Sequence, residues 1–336
     1  MSSLNINTDA LNSVDKAVLQ HHTHIANIMN ETDFDNRDDQ DQWHIRRRCG
    51  IGGTDVGAIL GVNPFKTPYD VWKEKTGREE PEDLSDNDAV MAGTLLEDAV
   101  AEFYTLRTGA KVRRQHNSRF HHKMPWLAGN VDRKVEGEQK ILECKTAGHF
   151  ANGWGEPGTD EVPSSYLLQC MHYMAVWGYK TSDLAVLMGG QKFAVYTIDF
   201  DQELFDSVAG GLRAFWFNNV LADTPPEPSN LREINEFYRK DDGHVITADQ
   251  EILDAIQRYN ELKVVEKETK LALASEQEII KGFMGTHATL VDMHGQKLAT
   301  WKTQTANRFD SKTFKAEHPD VHARYTKESD SRVFRV

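Results

Sequence analysis

Gly129-Asn130-Val131-Asp132-Arg133-Lys134-Val135 and Lys140-Ile141-Leu142-Glu143-Cys144-Lys145-Thr146 stand on either side of the turn-like Glu136-Gly137-Glu138. Val131 to Val135 and Lys140 to Thr146 are rich in β-branched and apolar residues, so the stretch reads as a β-hairpin. Side chains alternate along a strand, which puts Glu143 and Lys145 on one face and turns Leu142 and Cys144 into a core. If the arms pair in step, Asp132 lies beside Glu143. Two carboxylates held that close repel, and a hard divalent cation with oxygen ligands relieves them. The neighbouring lysine can lower the pKa of a water held there or steady an oxyanion. On these residues alone, a surface hairpin with a Glu/Lys ion pair is the competing reading.

Length and charge bound what surrounds the hairpin. A chain of 336 residues has room for one large domain with appendages or for two domains. A net charge of -13 excludes wholesale attraction to nucleic acid, so any DNA contact must be a local basic patch. Cys49, Cys144 and Cys170 are far apart with no C-x-x-C pair, which excludes a disulfide framework, a zinc knuckle and an iron-sulfur cluster. No apolar run approaches membrane-spanning length, and Met1-Ser2-Ser3-Leu4-Asn5 lacks the basic and apolar regions of a signal peptide. A soluble protein of a reducing cytoplasm is expected.

Three regions follow in order. Residues 1–40 are expected to hold a helix from Ala10 to Met29 and an acidic, solvated linker from Glu31 to Asp41. Residues 41–224 hold the main domain. In it, Arg46-Arg47-Arg48 precede a Gly-rich turn and Thr54 or Asp55 caps a helix through Leu60, a combination that makes an anion pocket. Asp88 to Thr108 reads as a helix with Val90, Gly93, Glu97, Ala101 and Tyr104 on one stripe. A carboxylate on such a face is costly without a cation, so Glu97 is a third candidate acid. Lys111 to Arg114 with Arg119 form a second basic cluster. A helix from Ser164 to Gly178 carries Tyr166, Gln169 and Tyr173 as a polar-tipped stripe. Gln169 can hold a water or a phosphate there, or bond to a neighbouring strand. A second hairpin and a closing helix to Leu221 complete the domain.

Thr224-Pro225-Pro226-Glu227-Pro228 marks the boundary to residues 225–336. There a long helix, capped by Thr247 with Gln250, runs to about Phe283. A third hairpin and a basic tail with Phe309, Phe314, Tyr325 and Phe334 follow, the tail being a candidate nucleic-acid surface.

Taken together, Trp43 to Val56, Gly93-Thr94-Leu95-Leu96-Glu97, Gly129 to Asp132, Glu143-Cys144-Lys145 and Pro163-x-x-Tyr166-x-x-Gln169 resemble the PD-(D/E)XK nuclease superfamily. More closely they resemble the lambda-exonuclease/YqaJ-type phage recombinases, over roughly residues 43 to 220. Leu298 to Lys302 is similar to phage proteins of this type as well. The resemblance implies an α/β (α+β) restriction-endonuclease-like core, a mixed central sheet flanked by helices. It implies that Asp132, Glu143 and the carbonyl of Cys144 bind Mg²⁺, for which Mn²⁺ can substitute. Glu97 would complete the site for a second ion or its water shell, Lys145 would activate the attacking water, and Gln169 would orient the site. Arg47 would bind the 5′-phosphate of a DNA end with Thr54 beside it, Arg48 being the alternative if the register slips.

Val131 stands where the motif's name has proline, and His121 and His122 stand where lambda exonuclease has a further acid. The implied activity is metal-dependent 5′ to 3′ digestion of linear duplex DNA, leaving 3′ overhangs for a single-strand annealing protein. The implied setting is a homotrimer, encoded by a phage or prophage, in a bacterial cytoplasm and away from membranes. The alternatives are an endonuclease of the same fold and a non-catalytic DNA-end-binding adaptor.

Overall fold

The computed structural model of the chain describes residues 13–80, 86–115, 117–328 and 331–336. The expected helix start at Ala10 and the Met1 to Asn5 segment lie outside these residues. The chain forms two compact units, one ending at Asn230 and the other running Leu231–Val336.

The first unit begins with α1 (Ser13–Glu31), α2 (Asp39–Arg48), α3 (Gly53–Ile59), α4 (Pro68–Thr76) and α5 (Asp88–Thr108). There follow β1 (Val112–Arg114), β2 (Arg119–Phe120), β3 (Ala128–Gly129), β4 (Arg133–Val135) and β5 (Lys140–Ala147). Then come α6 (Ser164–Trp177), β6 (Thr181–Met188), β7 (Lys192–Asp199) and α7 (Gln202–Phe215), which runs into a π-helical turn at Trp216–Val220. Five strands form a sheet in the order β1-β4-β5-β6-β7. Only β5 and β6 pair in parallel, and such a pair requires a crossover, which α6 supplies. The result is the mixed α/β architecture, a central sheet flanked by helices, that the sequence leads one to expect.

The hairpin sits at the centre of that sheet. Arg133 pairs with Leu142 and Lys134 with Ile141, so one step outward Asp132 comes opposite Glu143. Gly137 takes φ +79° in the turn, a value that suits glycine. Alternation along β5 then divides the two cores. Leu142 and Cys144, with Ala185 and Leu187, pack on Val100, Ala101 and Tyr104 of α5. Ile141, Leu184 and Val186 join the larger core formed with α3, α6 and α7. Packed against α3 and α7 and against strands β3 and β6, α6 is buried almost all round, including its polar Gln169, His172 and Tyr173.

Several local expectations need correction. The N-cap of α3 is Gly52, not Thr54 or Asp55; Asp55 works from the third helical position, accepting the Gly52 amide at 2.9 Å. The acidic run is not simply a solvated linker. Asp38 caps α2 by accepting the Asp41 amide at 2.8 Å, and Phe34 packs beside Ile28, Ile45 and Cys49. Helix α1 buries Ala17 in the main core, and His21 and His24 stand edge-on to Trp216 at 5.6 and 5.8 Å. Along α5 the buried stripe starts only at Val100; Val90 and Leu95 are exposed.

The second unit holds α8 (Leu231–Phe237), α9 (Gln250–Met284), β8 (Thr289–Val291), β9 (Lys297–Thr300), α10 (Ser311–Glu317) and α11 (Pro319–Tyr325). Asp249, not Thr247, caps α9 by accepting the Ile252 amide at 3.0 Å. Of the 35 residues of α9 only Met284 is buried, and Lys263, Glu266 and Lys270 lace its surface with ion pairs. No helix among the described residues is long and apolar enough to cross a membrane.

Candidate active site

Glu143 reaches the α6 side of β5 and is only 2% exposed. Its Oε1 accepts from Lys145 Nζ at 2.7 Å and from Gln169 Nε2 at 2.6 Å, while its buried Oε2 has no hydrogen-bond partner. Asp132 is held from the other arm: its Oδ2 accepts the Cys144 amide at 2.8 Å. Burial and the neighbouring Asp132 push the Glu143 carboxyl up to about 8, and burial also raises that of Asp132. Burial works against the Lys145 ammonium, but Glu143 and Asp132 outweigh it and raise its pKa. Two buried carboxylates against one ammonium leave the site short of positive charge, and a buried oxygen without a partner is uncommon. The donor set of Asp132, Glu143 and the Cys144 backbone suits a hard divalent cation.

Glu97 does not converge with them as expected. Its Oε1 accepts from Arg133 Nη1 at 2.6 Å and from Arg114 Nη2 at 3.2 Å, and Asp98 accepts from Arg133 Nη2 and from the same Arg114 Nη2. Arg133 opposes Leu142, so it projects to the α5 face, where Glu97 and Asp98 meet it. Among the described residues no group of three or more His, Cys, Asp or Glu side chains could hold a metal ion. Glu97 is near enough to add to the repulsion felt by Asp132 and Glu143, but as a neighbour engaged with two guanidinium groups.

Asp132, Glu143, Lys145 and Gln169 line a cleft of about 640 Å³, and Arg47 and Thr54 line the same cleft. Arg47 lies over the Trp43 ring at 5.0 Å, one helical turn earlier on α2. Arg48 is elsewhere. Its guanidinium packs over Gly77, where an added Cβ would come within 2.4 Å of it, and it lines a second hollow that Arg47 also borders, but not the cleft. His121 and His122 are not among the cleft residues; His121 Nδ1 accepts the Lys123 and Met124 amides in a tight turn. The three cysteines are free and buried.

The stripe on α6 is used throughout. Tyr166 stacks under Lys145, whose Nζ is 5.4 Å from the ring centroid, and Tyr173 accepts from Gln169 at 3.2 Å. Tyr173 presses so closely on Gly53 that a Cβ there would fall 2.4 Å from the ring. Asp55 and Lys75 also line the cleft, fully buried as an ion pair at 2.6 Å. The helix-cap position of Asp55 hinted at a structural role, but nothing in the spacing of α4 marks Lys75.

Residues 42–180 match the YqaJ-like viral recombinase domain family. The chain is 34% identical over 313 residues to the "Uncharacterized protein YqaJ" of Bacillus subtilis (strain 168), covering 88% of this chain and 94% of that one. A segment of 35 residues is 46% identical to protein D345L of African swine fever virus, 10% of each chain. Among solved structures it is similar to an alkaline exonuclease from Laribacter hongkongensis, with TM-score 0.45 and 18% identity over 55% of this chain and 94% of that one. A phage related exonuclease from Haemophilus somnus 129PT gives TM-score 0.39 and 14% identity, over 52% and 96%. With identity at this level along nearly the whole of both proteins, the chain belongs to the YqaJ-like viral recombinase family.

Proposed function

We propose that the protein is a metal-dependent 5′ to 3′ exonuclease acting on the ends of linear duplex DNA and leaving 3′ single strands for an annealing protein. The observation that carries this reading is the unpartnered, buried Oε2 of Glu143, beside Asp132 and Lys145 and in one cleft with Arg47. Asp132, Glu143 and the Cys144 carbonyl would hold Mg²⁺, with Mn²⁺ as a substitute. Glu97, engaged by two arginines, is assigned to the water shell or a second ion. Once bound, the ion activates water and stabilises charge on the phosphoryl oxygens.

The chain's own groups do the rest. Lys145, kept protonated by its carboxylates, offers its Nζ–H groups to negative charge that develops on a phosphate oxygen or an attacking water. Gln169 fixes the Glu143 rotamer from α6, and Tyr173 in turn receives the Gln169 amide. In the same cleft, Arg47 would take the terminal phosphate through a charge-assisted contact, with the Thr54 hydroxyl beside it. Placing the phosphate anchor and the carboxylates in one cleft selects chain ends over internal positions. A homotrimer around the duplex would reconcile an acidic protein with DNA, since only the channel need be basic.

The test is digestion of linear duplex labelled at the 5′ or the 3′ end, with Mg²⁺ or with EDTA, beside closed circular DNA. Release of 5′ label from linear DNA only, and only with Mg²⁺, is expected. Cutting of the circle would move the reading to an endonuclease. Absence of any metal-dependent cleavage would leave a DNA-end-binding adaptor.

A further inference from the structure

Asp55 and Lys75 form a fully buried ion pair that the hydrolytic chemistry does not need. Lys75 Nζ lies 2.6 Å from Asp55 Oδ2 and donates to the backbone carbonyl of Arg47 at 2.7 Å. The same Oδ2 accepts the Gly52 amide at 2.9 Å. On its other side Asp55 Oδ1 meets Lys66 at 3.4 Å, and Lys66 is paired with Glu74 at 2.6 Å. One ion pair therefore ties the last turn of α2, the first turn of α3 and the body of α4 together.

The two residues assigned to the terminal phosphate are those this pair controls. Arg47 is held by its own carbonyl from behind, while its guanidinium rests on Trp43 in front. Thr54 sits in the chain between Asp55, one member of the pair, and Gly53, which is pinned against Tyr173. A buried ion pair is weak evidence for stability, since apolar residues of similar shape often serve as well or better. Its value lies in directionality: it accepts and donates along fixed lines. Burial would raise the Asp55 carboxyl, but Lys75, Lys66 and Arg47 more than offset it and keep Asp55 ionised.

We propose that Asp55 and Lys75 are positioning residues that set Arg47 and Thr54 in the geometry that distinguishes a 5′-phosphorylated DNA end from a 5′-hydroxyl end. This rests on the reading of the cleft given under Proposed function. Without the pair, α2 and α3 are free to shift against each other, and the phosphate contact loses its preorganisation.

The experiment compares wild type, Lys75→Met and the double variant Asp55→Asn/Lys75→Met on duplexes with 5′-phosphate and 5′-hydroxyl ends. Lys75→Met alone leaves the buried Asp55 carboxylate with only the longer Lys66 contact at 3.4 Å for a counter-charge and is expected to be the less stable. The double variant removes both charges and is the one that decides, its fold being checked by near-UV circular dichroism and thermal unfolding. In the folded double variant the preference for phosphorylated ends should fall about tenfold or more, through KM and not kcat. Anisotropy titration of phosphorylated against unphosphorylated oligonucleotide in EDTA should show the same loss without any turnover. A folded double variant that keeps the wild-type preference in both assays would overturn the positioning role. A wild type with no preference would instead remove the phosphate pocket itself, and the inference with it.

Discussion

Arg133 Nη1 donates to Glu97 Oε1 across 2.6 Å from a residue only 4% exposed, so the third acid of the expected cluster is already neutralised by a guanidinium. The same arginine donates to the carbonyl of Asp132 at 2.8 Å. Arg133→Met should leave Glu97 held only by the longer Arg114 contact at 3.2 Å, freer to face Asp132 and Glu143, and so tighten divalent-cation binding. It should also cost roughly 2–3 kcal/mol of stability, below the ~3–5 kcal/mol of a fully buried pair because Glu97 is partly exposed. Calorimetric Mg²⁺ and Mn²⁺ titration beside chemical unfolding reads both effects. Unchanged metal affinity would show that Glu97 takes no part in the site.

The orphaned Glu143 Oε2 makes a second expectation. Glu143→Gln should lower hydrolysis by about two orders of magnitude or more, as loss of a positioned charged group at a reaction centre does. In metal-free buffer its melting temperature should equal or exceed that of wild type, because a buried carboxylate beside Asp132 has been replaced by a neutral amide. Wild type should gain about 2.7 kcal/mol from Mg²⁺ at a hundred times its Kd, and Glu143→Gln little or none. Lys145→Ala should likewise abolish hydrolysis in a folded protein. An active Glu143/Lys145 double variant would refute the assignment.

Arg47 and Arg48 are neighbours in sequence, but of the two only Arg47 lines the cleft that holds Asp132 and Glu143. Arg47→Ala should therefore weaken digestion of 5′-phosphorylated ends by about tenfold relative to 5′-hydroxyl ends, whereas Arg48→Ala should leave that ratio intact. Steady-state rates on the two substrates decide the matter. Equal loss on both ends for Arg47→Ala would argue against a phosphate contact.

The pH dependence of stability should carry the signature of His172, which is fully buried with Nε2 2.8 Å from the Ala128 carbonyl. Burial lowers this imidazole from 6.5 to about 4. Between those values the unfolded chain binds a proton that the folded chain does not, so stability is present above 6.5 and lost as pH falls. The loss at pH 5 relative to pH 7 should be roughly 2 kcal/mol from this residue. Urea unfolding at the two pH values, compared with His172→Gln, checks it; equal slopes in both proteins would refute it.

What the sequence discloses depends on the range of the interaction concerned. The pairing of Asp132 with Glu143 is legible because a four-residue turn and two-fold alternation leave little freedom of register. The α6 stripe of Tyr166, Gln169 and Tyr173 is legible for the same kind of reason, helical period. The engagement of Glu97 is not, since it depends on Arg133 pointing to the α5 face and on how α5 crosses β4. Nor is the choice of Arg47 over Arg48, which turns on the rotation of α2 against Gly77. Lys75 carries no local signal, because its partners lie 20 and 28 residues away on separate elements.

Leu142 and Cys144 fill one core while Glu143 and Lys145 floor the cleft, so the eight residues of β5 write two instructions in alternate letters. A single inserted or deleted codon there would exchange the instructions, driving two ionisable groups into the α5 core and an apolar pair into the cleft. Mutational drift has no intermediate in which fold survives and activity alone is lost by such a step. The strand is in that sense indivisible, whereas the solvated surface of α9 can take length and composition changes at little cost.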